Sequence, residues 1–197
     1  MTTVDLGVPG LGRSARQLQV ITRFKVTAAD MAELEQLRHL RVTLLFTYSG
    51  ITDPRIEPIA KSNITVTSIR TAAAHKQRTG VVLYWRPIVP GWNAAPETMA
   101  HVLDIGRGVD GIVFTGYYHK ADNAAYLQKL GVKGPFGPDD FHRRKAMSQE
   151  LDALVVNAWK ASGIATQGPL MPAKSRACSR GYQPIACLVG SEVVLAP

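Results

Sequence analysis

The chain has 197 residues, and 46% of them are hydrophobic, enough for one sizeable apolar core and too many for a disordered polypeptide. Its formal net charge is +8, from 23 basic and 15 acidic residues, which favours anionic ligands or polyanionic partners. The sequence contains no run of about 18 apolar residues and no secretory signal pattern, so we expect a cytoplasmic protein without a membrane span.

The first part of the chain predicts a strand, a helix and a second strand. Residues 1–16 are rich in glycine and basic side chains, and we expect a flexible N-terminal segment there. Residues 17–25 predict a strand, and Thr27 followed three residues later by Asp30 predicts a capping box at the start of a helix. Residues 40–48 are largely apolar, which predicts a buried strand.

The middle of the chain repeats this alternation. Residues 51–65 contain two prolines and predict an irregular stretch, after which residues 66–78 predict a helix. The apolar run at residues 81–86 predicts a third strand. Pro96 suits the first turn of a further helix, and residues 111–115 predict a fourth strand.

The last part of the chain predicts two helices and an irregular tail. Residues 121–130 predict a short helix, and Ser148 is a suitable N-cap for a longer one. Residues 166–197 predict an irregular extension, with one last strand at residues 185–189 or 192–195.

Strands that alternate with helices predict an α/β fold with a parallel sheet and right-handed crossovers. Four strands are too few to close an eight-stranded barrel, so residues 17–165 predict a partial (βα) barrel, a TIM-like half-barrel that is incomplete at its N-terminal side. Such a sheet has open edges, and a homodimer or a complementary chain would cover them.

Polar, basic and aromatic side chains gather where the four predicted strands end. The carboxyl ends of parallel strands meet at one edge of the sheet, so we expect these side chains to share a pocket for an anionic, aromatic ligand of nucleotide size. Arg23 and Arg86 suit a carboxylate or a phosphate. Tyr48 or Trp85 suits a purine ring or a cation, although Trp85 also fits a core position. The candidate binding residues at these ends are Arg23, Lys25, Thr47, Tyr48, Ser49, Arg86 and Thr115.

Familiar catalytic motifs do not occur, and no catalytic residue is assigned. The sequence has no G-x-S-x-G and no HExxH motif. Cys178 and Cys187 are not spaced as CxxC, and two thiols alone cannot enclose a metal or a cluster, which favours structural or free thiols. His119 is more typical of a polar loop residue than of a base. Glu57 follows Arg55 closely, which favours a loop ion pair over an active-site carboxylate.

Four segments resemble one enzyme family. Thr22-Arg23-Phe24 is similar to a T-K-F pattern in radical S-adenosylmethionine proteins of the spore photoproduct lyase-like group. The segments RIEP at residues 55–58, YWRPIVPGWN at 84–93 and GIVFTGYY at 111–118 resemble the following parts of that barrel. The resemblance extends over residues 17–165 and is most specific in RPIVPGWN.

This resemblance implies a (βα)6 partial barrel that binds S-adenosylmethionine. Arg23, in place of the more usual lysine, would contact the carboxylate, Ser49 the ribose, and Ile88 or Val89 the adenine. The family also implies an iron–sulfur cluster of the 4Fe-4S type, but its C-x3-C-x2-C loop does not occur in this chain. The chain resembles the latter two-thirds of such an enzyme, and we expect a truncated domain that is active only with the missing N-terminal part supplied.

Three kinds of function stay open from these patterns. The first is a radical S-adenosylmethionine enzyme domain, of lyase-like or transferase type. The second is a non-catalytic module that binds a nucleotide or a nucleic acid, which the basic charge favours. The third is a subunit of an assembly that is held together through the open sheet edge. Neither the substrate nor the reaction is determined by the sequence.

Overall fold

A computed structural model describes the chain over residues 16–57, 59–137, 147–164 and 170–172. Three sequence predictions concern residues outside these ranges. They are the flexible segment before the first strand, the roles of Cys178 and Cys187, and the last strand at 185–189 or 192–195.

Strands and helices alternate along most of the chain, as the sequence predicts. The strands are β1 (Arg16–Thr22), β2 (Leu40–Tyr48), β3 (Gly80–Ile88), β4 (Gly111–Gly116) and the three-residue β5 (Leu170–Pro172). The helices are α1 (Ala28–Glu35), α2 (Ile59–His75), α3 (Pro96–Ile105), α4 (Ala121–Lys129) and α5 (Gln149–Ala161).

The strands form one sheet in sequence order, β1-β2-β3-β4-β5, and every neighbouring pair is parallel. Within the part of the chain that the structure describes, β1 and β5 lie at the two ends of this order and do not pair with each other, so the sheet is open. The predicted fold class, an α/β half-barrel, is therefore confirmed. Sequential order places the carboxyl ends of the strands next to one another along one edge.

The two faces of the sheet have different coverings, because successive strand residues point to opposite sides. One face carries the helix-side core, to which four helices contribute buried side chains. Its members include Leu44, Phe46, Leu83, Trp85 and Phe114 from the strands, and Met31, Ile69, Leu103 and Val155 from the helices. The opposite face, called here the inner face, carries a smaller buried cluster of strand residues only, Leu45, Val82, Tyr84 and Val113.

The structure differs from the predicted elements at several ends and by one added strand. Strand β1 ends at Thr22 rather than at residue 25, and α2 ends at His75 rather than at residue 78. Helix α2 begins at Ile59, so the residues from there to Thr65 are helical rather than irregular. Hydroxyl-bearing residues have low helix propensity, but burial of Ile69 and Ala72 on the same helix overrides it. The hydroxyl groups of Thr65 and Ser68 are satisfied by carbonyl oxygens four residues earlier, at 3.0 and 2.8 Å. Strand β5 lies within the stretch predicted to be irregular, where it pairs with β4.

The predicted N-caps at Thr27 and Ser148 are confirmed. Thr27 accepts a hydrogen bond from the backbone N–H of Asp30, and the Asp30 carboxylate accepts one from the backbone N–H of Thr27, which is the expected capping box. Ser148 accepts a hydrogen bond from the backbone N–H of Leu151 at the start of α5. None of the helices in the described ranges has both the length and the apolar character needed to cross a membrane.

Candidate functional site

A cleft of 220 Å³ lies at the carboxyl ends of β1, β3 and β4 and is called here the strand-end cleft. Arg23 directly follows β1, Arg86 lies two residues before the end of β3, and Thr115 lies in β4. The residues that line the cleft are Arg23, Arg86, Pro87, Thr115, Gly116, Tyr117, Tyr118 and Asn123. Three of the predicted binding residues, Arg23, Arg86 and Thr115, therefore share one hollow, as the parallel sheet predicts.

Arg86 is held over an aromatic ring. Its guanidinium carbon lies 4.6 Å from the ring centroid of Tyr84, two residues earlier on the same strand. Such a cation–π contact orients the guanidinium without neutralising its charge. The Nε atom of Arg86 is buried and finds no acceptor among the described residues. A buried donor without a partner is a suitable contact for an acceptor on a ligand.

A second buried polar atom on the inner face also has no partner in the described ranges. It is the hydroxyl oxygen of Thr47, whose residue is only 3% exposed. Thr47 pairs in register with Tyr84, so the two side chains point to the same side of the sheet. The sheet face that leads to the cleft therefore has unused hydrogen-bonding capacity near the Arg86–Tyr84 contact.

Arg23, in contrast, already has an anionic partner. Its Nη1 atom is ion-paired with the Oε1 atom of Glu57, which lies in the loop between β2 and α2. The hydroxyl group of Ser49 donates to the other carboxylate oxygen of Glu57 at 2.8 Å. The Ser49 oxygen also accepts from the backbone N–H of Ile51 at 3.0 Å. Arg23, Glu57 and Ser49 therefore form one hydrogen-bonded chain, named here the Glu57 chain, beside the strand-end cleft.

The expected ion pair between Arg55 and Glu57 is wrong. Arg55 instead binds Asp53 within the same loop, with contacts of 2.5 to 3.2 Å. The Arg55–Asp53 pair lowers the pKa of the Asp53 carboxyl group through the side-chain and backbone hydrogen bonds of Arg55. Arg55 and Glu57 are only two residues apart in the sequence, which suggested the pair. The loop instead directs the buried Glu57 side chain toward Arg23 at the end of β1.

Asn93 fixes the backbone at the ends of β2 and β3. Its side-chain amide donates to the carbonyl oxygens of Ser49 and Pro87, at 2.5 and 2.7 Å, and its side-chain oxygen accepts from the backbone N–H of Val89 at 2.8 Å. The indole N–H of Trp85 donates to the same Ser49 carbonyl at 3.1 Å. These contacts hold the backbone of Ser49, one member of the Glu57 chain, in place. The peptide bond between Arg86 and Pro87 in the same region is cis.

Tyr48 and Trp85 are core residues rather than stacking platforms in this structure. Trp85 is fully buried and Tyr48 is 7% exposed, and both belong to the helix-side core. The hydroxyl group of Tyr48 lies 3.4 Å from the Nε2 atom of His101. Burial raises the pKa of Tyr48, and the charge of Glu57 raises it further. Tyr48 is therefore held in its neutral form next to the Glu57 chain.

Aromatic side chains form one wall of the strand-end cleft. The rings of Trp92 and Tyr117 meet edge to face, with centroids 5.5 Å apart, and Tyr117 also lies near His119 and Phe136. Burial raises the pKa of Tyr117. His119 was expected to be an ordinary polar loop residue, but it is 2% exposed and its Nε2 atom lies 3.0 Å from the Gly137 carbonyl. It is a structural residue of this aromatic cluster.

A larger groove of 640 Å³ lies on the other side of Trp92 and is called here the α5 groove. It runs between the loop after β3 and the first turns of α5. Its lining is mainly apolar and consists of residues 90–95 together with Ser148, Glu150, Leu151 and Leu154. Trp92 lines the groove and its ring contacts that of Tyr117, which lines the cleft, so this ring pair connects the walls of the two hollows.

The remaining predicted binding residues do not line the strand-end cleft. Ser49 is fully buried behind Glu57, and Ile88 packs in the helix-side core. Val89 is 1% exposed, whereas Lys25 is exposed on the loop that follows β1. The ligand contacts assigned to these four residues stay predictions.

Three polar residues at this edge were not singled out from the sequence as site residues. Asn123 lines the cleft from α4, where its amide donates to the Tyr118 carbonyl at 2.8 Å. Asn93 ends a Pro-Gly-Trp-Asn turn, and an asparagine at the end of such a turn is a signal for side-chain to backbone hydrogen bonding. Glu57 was noticed, but nothing local in the sequence indicates that its partner is Arg23.

The comparisons with known proteins leave the family open. No protein-family model matches the chain, and no curated protein matches it. The resemblance noted in the sequence therefore stays a prediction, and the chemistry of the cleft depends on its own side chains.

The described residues contain no group of three or more histidine, cysteine, aspartate or glutamate side chains arranged to hold a metal ion. The whole sequence has two cysteines, fewer than the three thiolates on which the resembling family's cluster depends. The residues of this chain therefore do not fit a cluster of that kind. They are better suited to an anionic group, since Arg86 lines the cleft and its buried Nε atom has no acceptor among the described residues.

Proposed function

We propose that this chain is a half-barrel domain that binds S-adenosylmethionine, or a ligand built like it, at the carboxyl edge of its sheet, without an iron–sulfur cluster of its own. In a complete radical enzyme this ligand supplies a radical after reductive cleavage. The chain's own residues would bind and orient it, and no step that needs a cluster is assigned to them.

The observation on which this proposal depends is the position and hydrogen bonding of Arg86. Arg86 lines the cleft, its guanidinium stacks on Tyr84, and its buried Nε atom has no acceptor among the described residues. A carboxylate placed in the cleft would accept from a positioned, charged donor, and hydrogen bonds of this kind are roughly twice as strong as neutral ones. Arg86, rather than Arg23, is therefore the residue that would hold the carboxylate, because Glu57 already occupies Arg23.

The dimensions of the two hollows favour a ligand with two ends. Pockets for ligands of drug size usually measure about 300–1,000 Å³, so the 220 Å³ cleft suits only the amino-acid end of an adenosyl ligand. The mainly apolar α5 groove beyond the Trp92–Tyr117 pair is large enough for an aromatic base.

Calorimetry with S-adenosylmethionine tests this proposal. The Arg86→Gln variant keeps a polar side chain but removes the charge, and we expect its affinity for the ligand to fall by about tenfold or more. Arg107→Gln is the matched control, because Arg107 is exposed and paired with Asp104 at the end of α3. Equal affinities of the Arg86→Gln variant and the unaltered protein would place the carboxylate elsewhere and remove the basis of the proposal.

Nucleic acid is the alternative ligand, and the net charge of +8 is the observation that favours it. The same titrations with single- and double-stranded DNA at two salt concentrations separate the two functions. An affinity that falls steeply with salt indicates contacts with several phosphates. Salt-insensitive binding of S-adenosylmethionine that depends on Arg86 instead indicates a pocket.

A further inference from the structure

The strand-end cleft contains two arginines but only one uncompensated positive charge. Arg23 and Glu57 form an ion pair, and the second oxygen of Glu57 accepts from Ser49. Arg86 has no carboxylate among its contacts in the described ranges and stacks on an uncharged ring. The charge that an incoming anion meets is therefore that of a single guanidinium, together with a carboxylate close beside it.

From this arrangement we infer that Glu57 is a specificity-determining residue, which makes the cleft select carboxylate-bearing zwitterions and reject phosphate dianions. This inference rests on the proposed function, since it names the chemical class of ligand that the same cleft accepts. A monoanionic carboxylate is matched by Arg86 alone. A phosphate dianion would need a second unpaired cation, and it would also be repelled by the Glu57 carboxylate.

The geometry of the pair explains why Glu57 rather than Arg23 is the selective element. The Glu57 side chain is 9% exposed, held from one side by Ser49 and from the other by Arg23. The Arg23 side chain is 40% exposed and lines the cleft, so it is accessible to a ligand once its partner is neutralised. Removing the charge of Glu57 would therefore turn a site with one available cation into a site with two.

Two ligands that share adenosine test this inference. S-adenosylhomocysteine carries an amino-acid zwitterion, whereas adenosine 5′-monophosphate carries a phosphate dianion at the equivalent end. We expect the unaltered protein to prefer S-adenosylhomocysteine, and Glu57→Gln to shift the ratio of the two affinities toward the monophosphate by about tenfold, as for one charge interaction that solvent screens well below its strength at direct contact. Glutamine keeps an acceptor for Ser49, which preserves the shape of the loop.

Three further variants keep the experiment decisive. Arg23→Gln leaves Glu57 unpaired and should shift the ratio away from the monophosphate, and the double variant Arg23→Gln/Glu57→Gln should restore the original ratio, because the pair is net neutral. Asp53→Asn is the matched control, since Asp53 lies in the same loop and pairs with the exposed Arg55. An unchanged ratio in both single variants would overturn the inference.

The failure of this inference can be told apart from the failure of the proposed function. If the unaltered protein binds neither adenosine ligand, the proposed function is wrong, and inorganic pyrophosphate is then titrated into the unaltered protein and into Glu57→Gln. A gain of about tenfold in pyrophosphate affinity on loss of the Glu57 charge supports the role of Glu57 as a barrier to phosphates. The absence of any gain rejects that role.

Discussion

Arg23 and Glu57 are ion-paired across 34 positions of sequence, and the two partners are buried to different extents, with side-chain exposures of 40% and 9%. Removal of Arg23 would leave a buried carboxylate whose one remaining side-chain donor in the described ranges is Ser49, whereas removal of the Glu57 charge would leave an arginine in contact with solvent. We therefore expect Arg23→Gln to lower the free energy of unfolding by about 2 kcal/mol, and Glu57→Gln by less than about 1 kcal/mol. Urea unfolding followed by circular dichroism measures both values.

A larger decrease in the free energy of unfolding for Glu57→Gln than for Arg23→Gln would contradict this expectation. Arg55→Gln is the comparison for an exposed pair in the same loop, because its side chain is 56% exposed. We expect the Arg55 variant to change stability by less than about 0.5 kcal/mol.

Gly50 lies directly after Ser49 and has a positive φ of 73°. A Cβ atom at this position would lie 2.6 Å from a methyl carbon of Val102 and 3.2 Å from one of Thr98, so a side chain meets both backbone strain and a steric clash with α3. We expect Gly50→Ala to lower the free energy of unfolding by about 3 kcal/mol. We also expect weaker ligand binding, because the backbone displacement that relieves the clash would move the neighbouring Ser49.

Gly91→Ala separates the strain from the clash. Gly91 has a similar φ of 82°, but a Cβ atom there would meet no other atom within 4 Å. We expect the free energy of unfolding of this variant to fall by only about 1 kcal/mol, the ordinary cost of a left-handed conformation for alanine. Thermal unfolding of the two variants side by side gives the difference, and equal losses would show that the contact with Val102 is relieved without cost.

Glu35 caps the backbone of the loop between α2 and β3. Its carboxylate accepts from the backbone N–H groups of Gln77, Arg78 and Thr79, at 2.7 to 2.9 Å. Burial acts to raise the pKa of Glu35, but these hydrogen bonds together outweigh it and lower the pKa below the ordinary value of 4.5. A lowered pKa means that the folded state binds the proton less readily than the unfolded chain does, so this stabilisation is present above the ordinary value and is lost as the pH falls through the folded pKa.

The variant Glu35→Gln should therefore be less stable than the unaltered protein at neutral pH by about 1 kcal/mol, similar to the loss of a helix cap. The difference should shrink as the pH is lowered below the ordinary pKa of the glutamate carboxyl group and through its lowered folded-state pKa. Urea titrations across this pH range test the trend, with Glu33→Gln, an exposed position on the same helix, as the control. A difference that stays constant with pH would rule out the charge of Glu35 as its cause.

Periodicity predicted the strands well where the residues are buried on both faces. The segment from Leu40 to Tyr48 was predicted with the same bounds that it has in the sheet, because a nearly continuous apolar run suits only an inner strand of a parallel sheet. The predicted start of helix α2 was too late in the chain, because its first turns contain hydroxyl-bearing residues of low helix propensity. Tertiary packing overrides that propensity, since Ile69 and Ala72 of the same helix are fully buried.

The alternation of strands and helices in the sequence is enough to predict that strand ends rich in arginine, threonine and aromatic residues meet at one edge, because parallel connectivity leaves no other place for them. How the charges pair at that edge depends on the folded chain. Arg23 and Arg86 look equivalent in sequence, yet the path of the loop after β2 brings the buried Glu57 carboxylate to one of them and leaves the other to stack on Tyr84. Side-chain partners of this kind depend on strand register and loop path over tens of residues, and no local pattern encodes them.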